Sequence, residues 1–413
     1  MIPEGVERRA RWVLDSIGAT EVGFGDDVPY VGEAWEAVDS GERPAGDDLA
    51  DAFFHLARVE ERDGPRDEHG RFRASWSCLD PLDPSLERLR RKLAVAPRWP
   101  DGARFLVALT HDVDSVRRWT RIGVRGATAR LKADLLRGRA RSAGREATGL
   151  ALAPLHRLRG TDPNWRFEQI VAEERRRGAS GSTFYVFGGQ GDPHDGSAPE
   201  TYSQLRPRLV ETLVDVDAEV GLHPSYRAAD DDAQLAAERA ALERFGVQPA
   251  GARYHYLRVD PHRNLRPLSA LGFLYDSSLG FSDAIGFRAG LARPFRPWDF
   301  ERDAPLDLVE IPLAVMDVTL AEPRYLGLSA RAAWTQLEAL LDWAAANGAA
   351  FAILWHPDRF DAPTSGGWDR LFYRVVDGVR ERGGLCMPAR DMALQAVGPT
   401  IPNPHPPGEQ PRE

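Results

Sequence analysis

Two apolar, strand-like runs of this chain end abruptly at ionisable residues. Residues 105–109 lead into Asp112 and Asp114, and residues 350–354 lead into His356. A buried strand that delivers carboxylates or a histidine at its C-terminal end is how α/β enzymes build active sites. The sequence therefore predicts a catalytic chain, and these residue types favour hydrolysis.

Four further ionisable residues follow strand-like runs. They are His223, Arg253, His255 and Asp276. Asp112 and Asp114 are two residues apart, so in a continuing strand both side chains would project from one side. Two carboxylates in one cleft are costly unless a metal or a base role requires them. Any one of these residues alone is more typical of a cap or a hydrogen-bonded core histidine, but the set together predicts one cleft.

Strand-like and helix-like stretches alternate from Arg104 onward. The predicted strands end near Thr110, Phe187, Leu222, Tyr254, Tyr275, Ile311 and Trp355. Repeated β-then-α order predicts a mostly parallel sheet or barrel, with the strand ends on one face. Residues 1–100 are predicted to form a small mixed α/β domain with a strand at 28–31, and the polar, proline-rich residues 399–413 a disordered tail.

Composition narrows the class of protein. The chain has 413 residues, of which 43% are apolar, enough for a substantial core. A net charge of −9 argues against nucleic-acid binding, which needs many basic contacts. Cys78 and Cys386 are too few for a disulfide framework. Since we also recognise no export signal and no membrane span, we expect a cytoplasmic protein.

The charge is uneven along the chain. Between Arg117 and Arg145, ten basic residues accompany a single acid, Asp134. Apolar residues are interleaved at partly helical spacing, so a basic amphipathic helix that contacts anionic lipid at the inner face of the membrane is one interpretation. The alternative is a solvated basic insertion, residues 117–160, in the barrel.

The motifs, taken in order, resemble a known family. They are Thr110-His111-Asp112-Val113-Asp114, Gly221-Leu222-His223-Pro224-Ser225-Tyr226, Arg253-Tyr254-His255-Tyr256, Asp276-Ser277-Ser278 and Leu354-Trp355-His356. The ordered set resembles the polysaccharide deacetylases with a NodB homology domain (carbohydrate esterase family 4) over residues 101–395. The resemblance implies a distorted (β/α)₇ barrel that hydrolyses an N- or O-acyl group on a sugar with one divalent metal. It also implies that residues 1–100 are an accessory domain.

The resemblance assigns roles to individual residues. It implies that Asp112 is the general base, with Arg253 holding that carboxylate ionised. It implies that His356 is the general acid, with Asp276 fixing its imidazolium form. Asp114 and His223 would be metal ligands, and Zn²⁺ is the expected ion.

The chain departs from the family pattern at one metal ligand. The usual second histidine, four residues after His223, is replaced by Arg227, which cannot ligate a metal. Either a third ligand comes from elsewhere, with His255 the first candidate and His111 or His194 behind it, or the metal is lost. His111 is more typical of a histidine that hydrogen-bonds a strand-end carbonyl.

The function predicted from the sequence is removal of an N-acyl group, such as acetyl, from a carbohydrate or glycan precursor. The alternatives are a metal-independent amidohydrolase acting on a small amide and a non-catalytic carbohydrate-binding barrel. Glu310 and Asp317 could line the cleft or have structural roles. The sequence does not predict the sugar or the oligomeric state.

Overall fold

The structure is a computed structural model that describes residues 2–196 and 198–397, so the predicted tail at 399–413 lies outside the described residues. Its strands are β1 Leu106–Asp112, β2 Thr183–Phe187, β3 Glu219–His223, β4 Gly251–Ala252, β5 Tyr275–Asp276, β6 Trp298–Asp299, β7 Ala304–Pro305, β8 Val309–Glu310, β9 Leu313–Met316, β10 Ala350–Leu354 and β11 Leu385–Met387. Nine of these strands form one sheet whose pairs are all parallel, while β6 and β7 make a separate antiparallel pair.

The sheet curls into a barrel. Its hydrogen-bonded order is β8-β5-β4-β3-β2-β1-β10-β9, with β11 beside the first half of β1. The two edge strands, β8 and β9, are separated in sequence only by Ile311 and Pro312. A flat sheet would hold its edge strands roughly 34 Å apart, whereas the short link spans at most about 10 Å. The edges must therefore approach each other.

Counting β8 and β9 as one strand interrupted at Pro312, which lacks a backbone N–H, gives the seven predicted strands, with β11 added. The predicted distorted (β/α)₇ barrel is confirmed. Every residue of β1 and β10 is buried, as expected for parallel strands covered on both faces.

The helices surround the sheet and also form the N-terminal segment. They are α1 Glu4–Ser16, α2 Gly32–Asp39, α3 Asp48–Leu56, α4 Ser85–Lys92, α5 Arg121–Leu136, α6 Ala140–Arg159, α7 Phe167–Arg176, α8 Pro199–Asp215, α9 Asp232–Glu243, α10 Leu265–Ala270, α11 Asp317–Ala321, α12 Ala330–Asn347, α13 Ala362–Ser365, α14 Trp368–Glu381 and α15 Ala389–Val397. In the described part of the chain, no helix combines the length and the apolar character needed to cross a membrane.

The described part of the N-terminal segment is helical. The strand predicted at 28–31 is reduced to a single bridge between Phe24 and Val28, because Pro29 has no N–H to extend a ladder. The segment packs on the barrel: the Trp12 ring centroid lies 5.0 Å from that of Trp298. The division into domains at residues 1–100 and 101–395 stays a prediction.

The basic segment forms two helices rather than one. Helices α5 and α6 pack together, and Gly138, at φ +66°, lies in the turn between them. A left-handed φ favours glycine, which explains why this residue breaks the helix. Leu135 and Leu136 are 63% and 78% exposed at the end of α5.

Candidate functional site

A cavity of about 270 Å³ opens where the barrel strands end. It is lined by Arg71, Asp112, Asp114, His194, Gly196, His255, Tyr256, Leu257, Met316, Val318, Arg324, Tyr325, Leu354 and His356. The carboxyl ends of parallel strands meet on this face, which is the usual site of chemistry in such barrels. The cavity therefore collects residues from distant parts of the sequence.

The carboxylate of Asp114 is the centre of the polar cluster. Its Oδ1 atom lies 3.3 Å from His223 Nε2 and 3.7 Å from His255 Nε2. Its Oδ2 atom lies 3.5 Å from His356 Nε2. Asp114, His223 and His255 offer three ligand atoms within 4.8 Å of one another, the same three residues that the sequence suggested as metal ligands.

The hydrogen bonds of the two histidines leave the Nε2 atoms available. His223 Nδ1 lies 2.6 Å from the carbonyl oxygen of Arg253, so Nδ1 carries the proton and donates it. His255 Nδ1 faces a carboxylate oxygen of Asp195 at 3.4 Å. In the neutral tautomers, both Nε2 lone pairs then point at Asp114. Asp114 Oδ1 and His223 Nε2 are both buried, and neither has a hydrogen-bond partner among the described residues.

Facing lone pairs need a positive charge between them. Ligand atoms about 2.1 Å from a tetrahedral zinc ion lie roughly 3.4 Å apart, close to the observed separations from Asp114 Oδ1 to the two histidines. Histidines whose second nitrogen is held by a carbonyl or carboxylate are typical of metal sites. The donor set therefore fits a divalent metal.

Charge in this cluster shifts the pKa values of its members. Burial raises the pKa of Asp114, but the surrounding imidazoles outweigh burial and hold that pKa well below its usual range. Burial lowers the pKa of His223, but the carboxylates of Asp112 and Asp114 outweigh it and raise that pKa. In both residues the neighbours favour the ionised form, so the cluster attracts positive charge, either as a proton on His223 Nε2 or as a metal ion in place of that proton.

Asp112 lies against a buried arginine. Arg253 Nη1 is 3.3 Å from Asp112 Oδ1 and 2.6 Å from Thr110 Oγ1, while Nε donates to the carbonyl oxygen of Ser277 at 2.7 Å. The Arg253 side chain is fully buried, so these contacts fix its position. The guanidinium holds the carboxylate of Asp112 in place at the edge of the cavity, where a general base would have to lie.

His356 is held by a carboxylate other than the one suggested by resemblance. Its Nδ1 lies 2.6 Å from Asp317 Oδ1, and its backbone N–H donates to Asp317 Oδ2 at 3.2 Å. Burial lowers the pKa of His356, but the charge of Asp317 and that of Asp114 outweigh burial and raise it to about 10. His356 is therefore protonated at neutral pH, and Asp317, at the start of α11, stabilises that form.

Asp276 lies elsewhere, so its suggested contact with His356 is wrong. In the strand pairing Asp276 is opposite Glu310, and its carboxylate accepts hydrogen bonds from the backbone N–H and hydroxyl of Ser278. Burial raises the pKa of Asp276. Burial and the negative charge of Asp276 together raise the pKa of Glu310 well above its usual range. Both residues are fully buried in adjacent strands, where they support the strand ends.

The other candidate ligands are engaged outside the cluster. His111 is fully buried, with Nδ1 2.7 Å from the carbonyl oxygen of Trp355 and Nε2 2.8 Å from Glu174, as its strand-end position suggested. His194 contacts Asp192 at 2.6 Å on the exposed rim. Arg227 is also exposed, and its Nε lies 3.3 Å from Asp192.

Sequence reasoning missed two residues of the site, Asp195 and Arg71, and left open whether Asp317 lines the cleft or is structural. Asp195 lies in the glycine-rich loop after β2 and contacts His255. Burial raises the pKa of Asp195, but the groups that donate hydrogen bonds to it, first His255, outweigh burial and lower that pKa to about 2. Asp317 supports His356, and Arg71 reaches the cavity from the N-terminal segment. The only sequence signals were the polar loop around Asp195 and the position of Asp317 just beyond a strand.

Several solved structures resemble this chain in fold. A Mycobacterium smegmatis protein assigned to the polysaccharide deacetylases is 19% identical, with a TM-score of 0.46, over 73% of this chain and 93% of that one. A Pseudomonas aeruginosa protein assigned to the same group is 15% identical, with a TM-score of 0.48, over 77% and 97%. A Bordetella bronchiseptica protein assigned to polysaccharide deacetylation in O-antigen biosynthesis is 13% identical, with a TM-score of 0.32, over 69% and 93%.

These structures carry the name of the family that the ordered motifs resemble. No protein-family model and no curated protein matches the chain.

Proposed function

We propose that this chain is a metal-dependent hydrolase that removes an N-acyl group, such as acetyl, from a carbohydrate or glycan precursor. The supporting observation is the cluster in which the Nε2 atoms of His223 and His255 face Asp114 within 3.7 Å, beside Asp112 and His356 in one cavity. Base, acid and ligand set therefore surround the space that a substrate would occupy.

Asp114, His223 and His255 would hold the ion, with Zn²⁺ the expected species. A bound divalent metal polarises the acyl carbonyl and makes a water more acidic. Asp112 accepts the proton of the attacking water, and Arg253 holds that carboxylate in position. Asp195 orients His255 so that Nε2 points at the cluster.

His356 supplies the proton that the leaving amine needs. Its pKa of about 10 keeps it protonated, because burial is outweighed by the charges of Asp317 and Asp114. Asp317 holds Nδ1, which leaves the Nε2 proton on the side of Asp114 and the cavity. An amide needs a protonated leaving group because an amine anion is a poor one.

Metal analysis of the purified protein, followed by acetate-release assays on N-acetylated sugars with and without a chelator, tests the proposal. We expect bound divalent metal, loss of activity on chelation and recovery when metal is returned. Asp112→Asn should remove activity and leave metal content unchanged, whereas His255→Ala should lower metal content.

The competing functions predict different outcomes. Activity that survives complete metal removal and disappears in Arg227→Ala would favour a metal-independent amidohydrolase. Sugar binding without turnover in metal-loaded protein would favour a non-catalytic binding barrel. The exposed ion pair of Arg227 with Asp192 leads us to expect that Arg227→Ala retains activity.

We also propose that the hairpin of α5 and α6 contacts an anionic membrane surface from the cytoplasmic side, where a lipid-linked glycan precursor would be met. The support is the juxtaposition of exposed Leu135 and Leu136 with the exposed cations of the basic segment. The cytoplasmic location itself stays a prediction.

A further inference from the structure

One wall of the cavity is built from hydrogen-bond donors. Arg71, Arg324 and Tyr325 line it together with Tyr256. Arg71 comes from the N-terminal segment, whereas the others come from barrel loops. None of the four belongs to the cluster around Asp114, so this wall faces a different part of any ligand.

Arg71 is fixed and has one N–H to spare. Its Nε and Nη2 donate to Asp67 at 3.0 and 2.8 Å, Nη2 also donates to the Tyr325 hydroxyl at 3.2 Å, and Nη1 donates to the Tyr256 carbonyl at 3.2 Å. A guanidinium carries five N–H groups, and these contacts use four. The residue is only 4% exposed and lines the cavity, so its guanidinium is fixed there with one Nη1 hydrogen that has no partner among the described residues.

The contact with Arg71 also orients Tyr325. The phenolic oxygen of Tyr325 accepts a hydrogen bond from Arg71 Nη2, so its own hydrogen must point elsewhere. Tyr325 is half-buried and lines the cavity. Its hydroxyl can therefore act as a donor towards a bound molecule.

Arg324 adds a full positive charge beside these donors. Its guanidinium carbon lies 4.9 Å from the ring centroid of Tyr325, and within the described ranges no carboxylate lies within 4.0 Å of it. Asp67, the carboxylate that contacts Arg71, is already engaged by it in a two-point contact. The wall thus has a net positive charge and a surplus of donors.

We propose that this wall recognises an anionic group, a carboxylate or a phosphate, on the substrate. This inference rests on the proposed deacylase function and narrows its substrate to an N-acylated sugar that carries a negative charge. Sugar hydroxyls both donate and accept, so a site for a neutral sugar needs acceptors as well as donors. The donors of Arg71, Arg324 and Tyr325, two of them guanidinium groups, instead match an acceptor-only group.

The test is calorimetric binding of three matched probes that differ only at carbon 6. They are N-acetylglucosamine, its 6-phosphate and N-acetylglucosaminuronic acid. We add N-acetylglucosamine 1-phosphate, since a nucleotide- or lipid-linked precursor carries its phosphate at carbon 1. At least one charged probe should bind about tenfold or more tightly than the neutral sugar, a preference that weakens as salt is raised. The preferred probe distinguishes carboxylate from phosphate.

Variants assign the preference to the wall. Arg324→Gln, at an exposed position that should leave the fold intact, should reduce the ratio of charged to neutral affinity to near one. Tyr325→Phe should reduce the ratio less, by removing one donor. Arg331→Gln, on α12 outside the cavity, is a matched control because Arg331 is also exposed and, within the described residues, unpaired.

Binding and turnover are read separately. Charged probes that bind selectively but release no acetate would support the inference and contradict the proposed function. Equal affinities for all probes, or binding of none, would overturn the inference even if acetate were released from a neutral sugar. A preference that persists in Arg324→Gln, or that falls equally in Arg331→Gln, would also overturn it.

Discussion

The Nδ1 atom of His356 lies 2.6 Å from Oδ1 of Asp317, whose side chain is fully buried. The other oxygen of the same carboxylate receives the backbone N–H of His356 and faces the Arg359 guanidinium at 3.5 Å. Two contacts to one histidine fix both the ring orientation and the site of its proton. Asp317 is therefore the positioning residue for the proposed general acid.

We predict that Asp317→Asn lowers kcat and shifts its pH dependence. Burial lowers the pKa of His356 and the charge of Asp317 raises it, so loss of that charge lowers the pKa from its value of about 10. A general acid is active below its pKa, so the alkaline limb of the kcat profile should move to lower pH. Loss of a supporting carboxylate typically costs about 10- to 100-fold in activity. The measurement is acetate release as a function of pH.

Asp276→Asn is the matched control, since resemblance alone would give that residue the same role. It lies in the pair with Glu310 and should leave the alkaline limb where it is. If the limb moves in Asp276→Asn and stays in place in Asp317→Asn, the assignment made from the geometry is wrong.

The sequence could predict which residues reach the site but not every neighbour. Asp114, His223 and His255 each lie at or just after the end of a strand, and parallel strands deliver such residues to one edge. Asp276 and Asp317 both satisfy that pattern. Which of them meets His356 depends on strand order: β10 pairs with β9, directly before Asp317, and not with β5.

The sequence also did not predict strand β9. The predicted strand ended near Ile311, because Pro312 removes a ladder donor and is a poor strand residue. The chain resumes a strand at Leu313–Met316 only because it closes the barrel against β10. The contact of Arg71 with the cavity is likewise a long-range one, which no local periodicity encodes.

We predict that Asp195→Asn weakens metal binding. Asp195 Oδ1 lies 3.4 Å from His255 Nδ1 and favours the orientation in which Nε2 faces Asp114. Loss of such a carboxylate typically costs about 10- to 100-fold in metal affinity. Titration of metal-free protein with Zn²⁺ against a competing chelator measures the effect without any assay of turnover.

Asp192→Asn is the control for Asp195→Asn. Asp192 lies in the same loop but contacts His194 and Arg227 on the exposed rim. We expect the metal affinity of the Asp192→Asn variant to match that of the unchanged protein. Equal losses in the two variants would mean that the loop as a whole, and not the contact with His255, determines affinity.

A third prediction concerns the contact between the N-terminal segment and the barrel. Glu61 and Arg288 are buried, and their two hydrogen bonds measure 2.9 and 2.5 Å. Burial raises the pKa of Glu61, but Arg288 and Arg58 outweigh it and hold the pKa well below its usual range. Removing one partner of a buried pair costs about 3–5 kcal/mol, so Glu61→Gln should lower the free energy of unfolding by this order.

The sign of the pH dependence follows from the depressed pKa. The ionised Glu61 contributes its stability above the pKa of an unfolded glutamate, about 4.3, and loses it progressively as the pH falls further. Denaturant unfolding between pH 7 and pH 3 should therefore show a steeper loss for the unchanged protein than for Glu61→Gln. As a control, Asp83→Asn removes an exposed pair with Arg88 and should cost at most about 1 kcal/mol. Parallel profiles for the unchanged protein and Glu61→Gln would contradict the prediction.

The last prediction concerns the end of the hairpin of α5 and α6. Leu135 and Leu136 are 63% and 78% exposed, and they stand next to the exposed cations Arg137, Arg139 and Arg141. Each cation near an anionic membrane adds about 1 kcal/mol, an attraction that salt screens. We expect the protein to co-sediment with anionic vesicles at low salt, to bind neutral vesicles much less and to dissociate as salt is raised.

Substitution separates the apolar from the electrostatic contribution. The double change Leu135→Ser with Leu136→Ser should weaken vesicle binding, because two exposed apolar side chains no longer enter the bilayer boundary. Leu82→Ser removes a leucine that is 48% exposed outside the hairpin and should have no effect. Equal binding to anionic and neutral vesicles, or binding to neither, would leave the hairpin as a solvated insertion of the barrel.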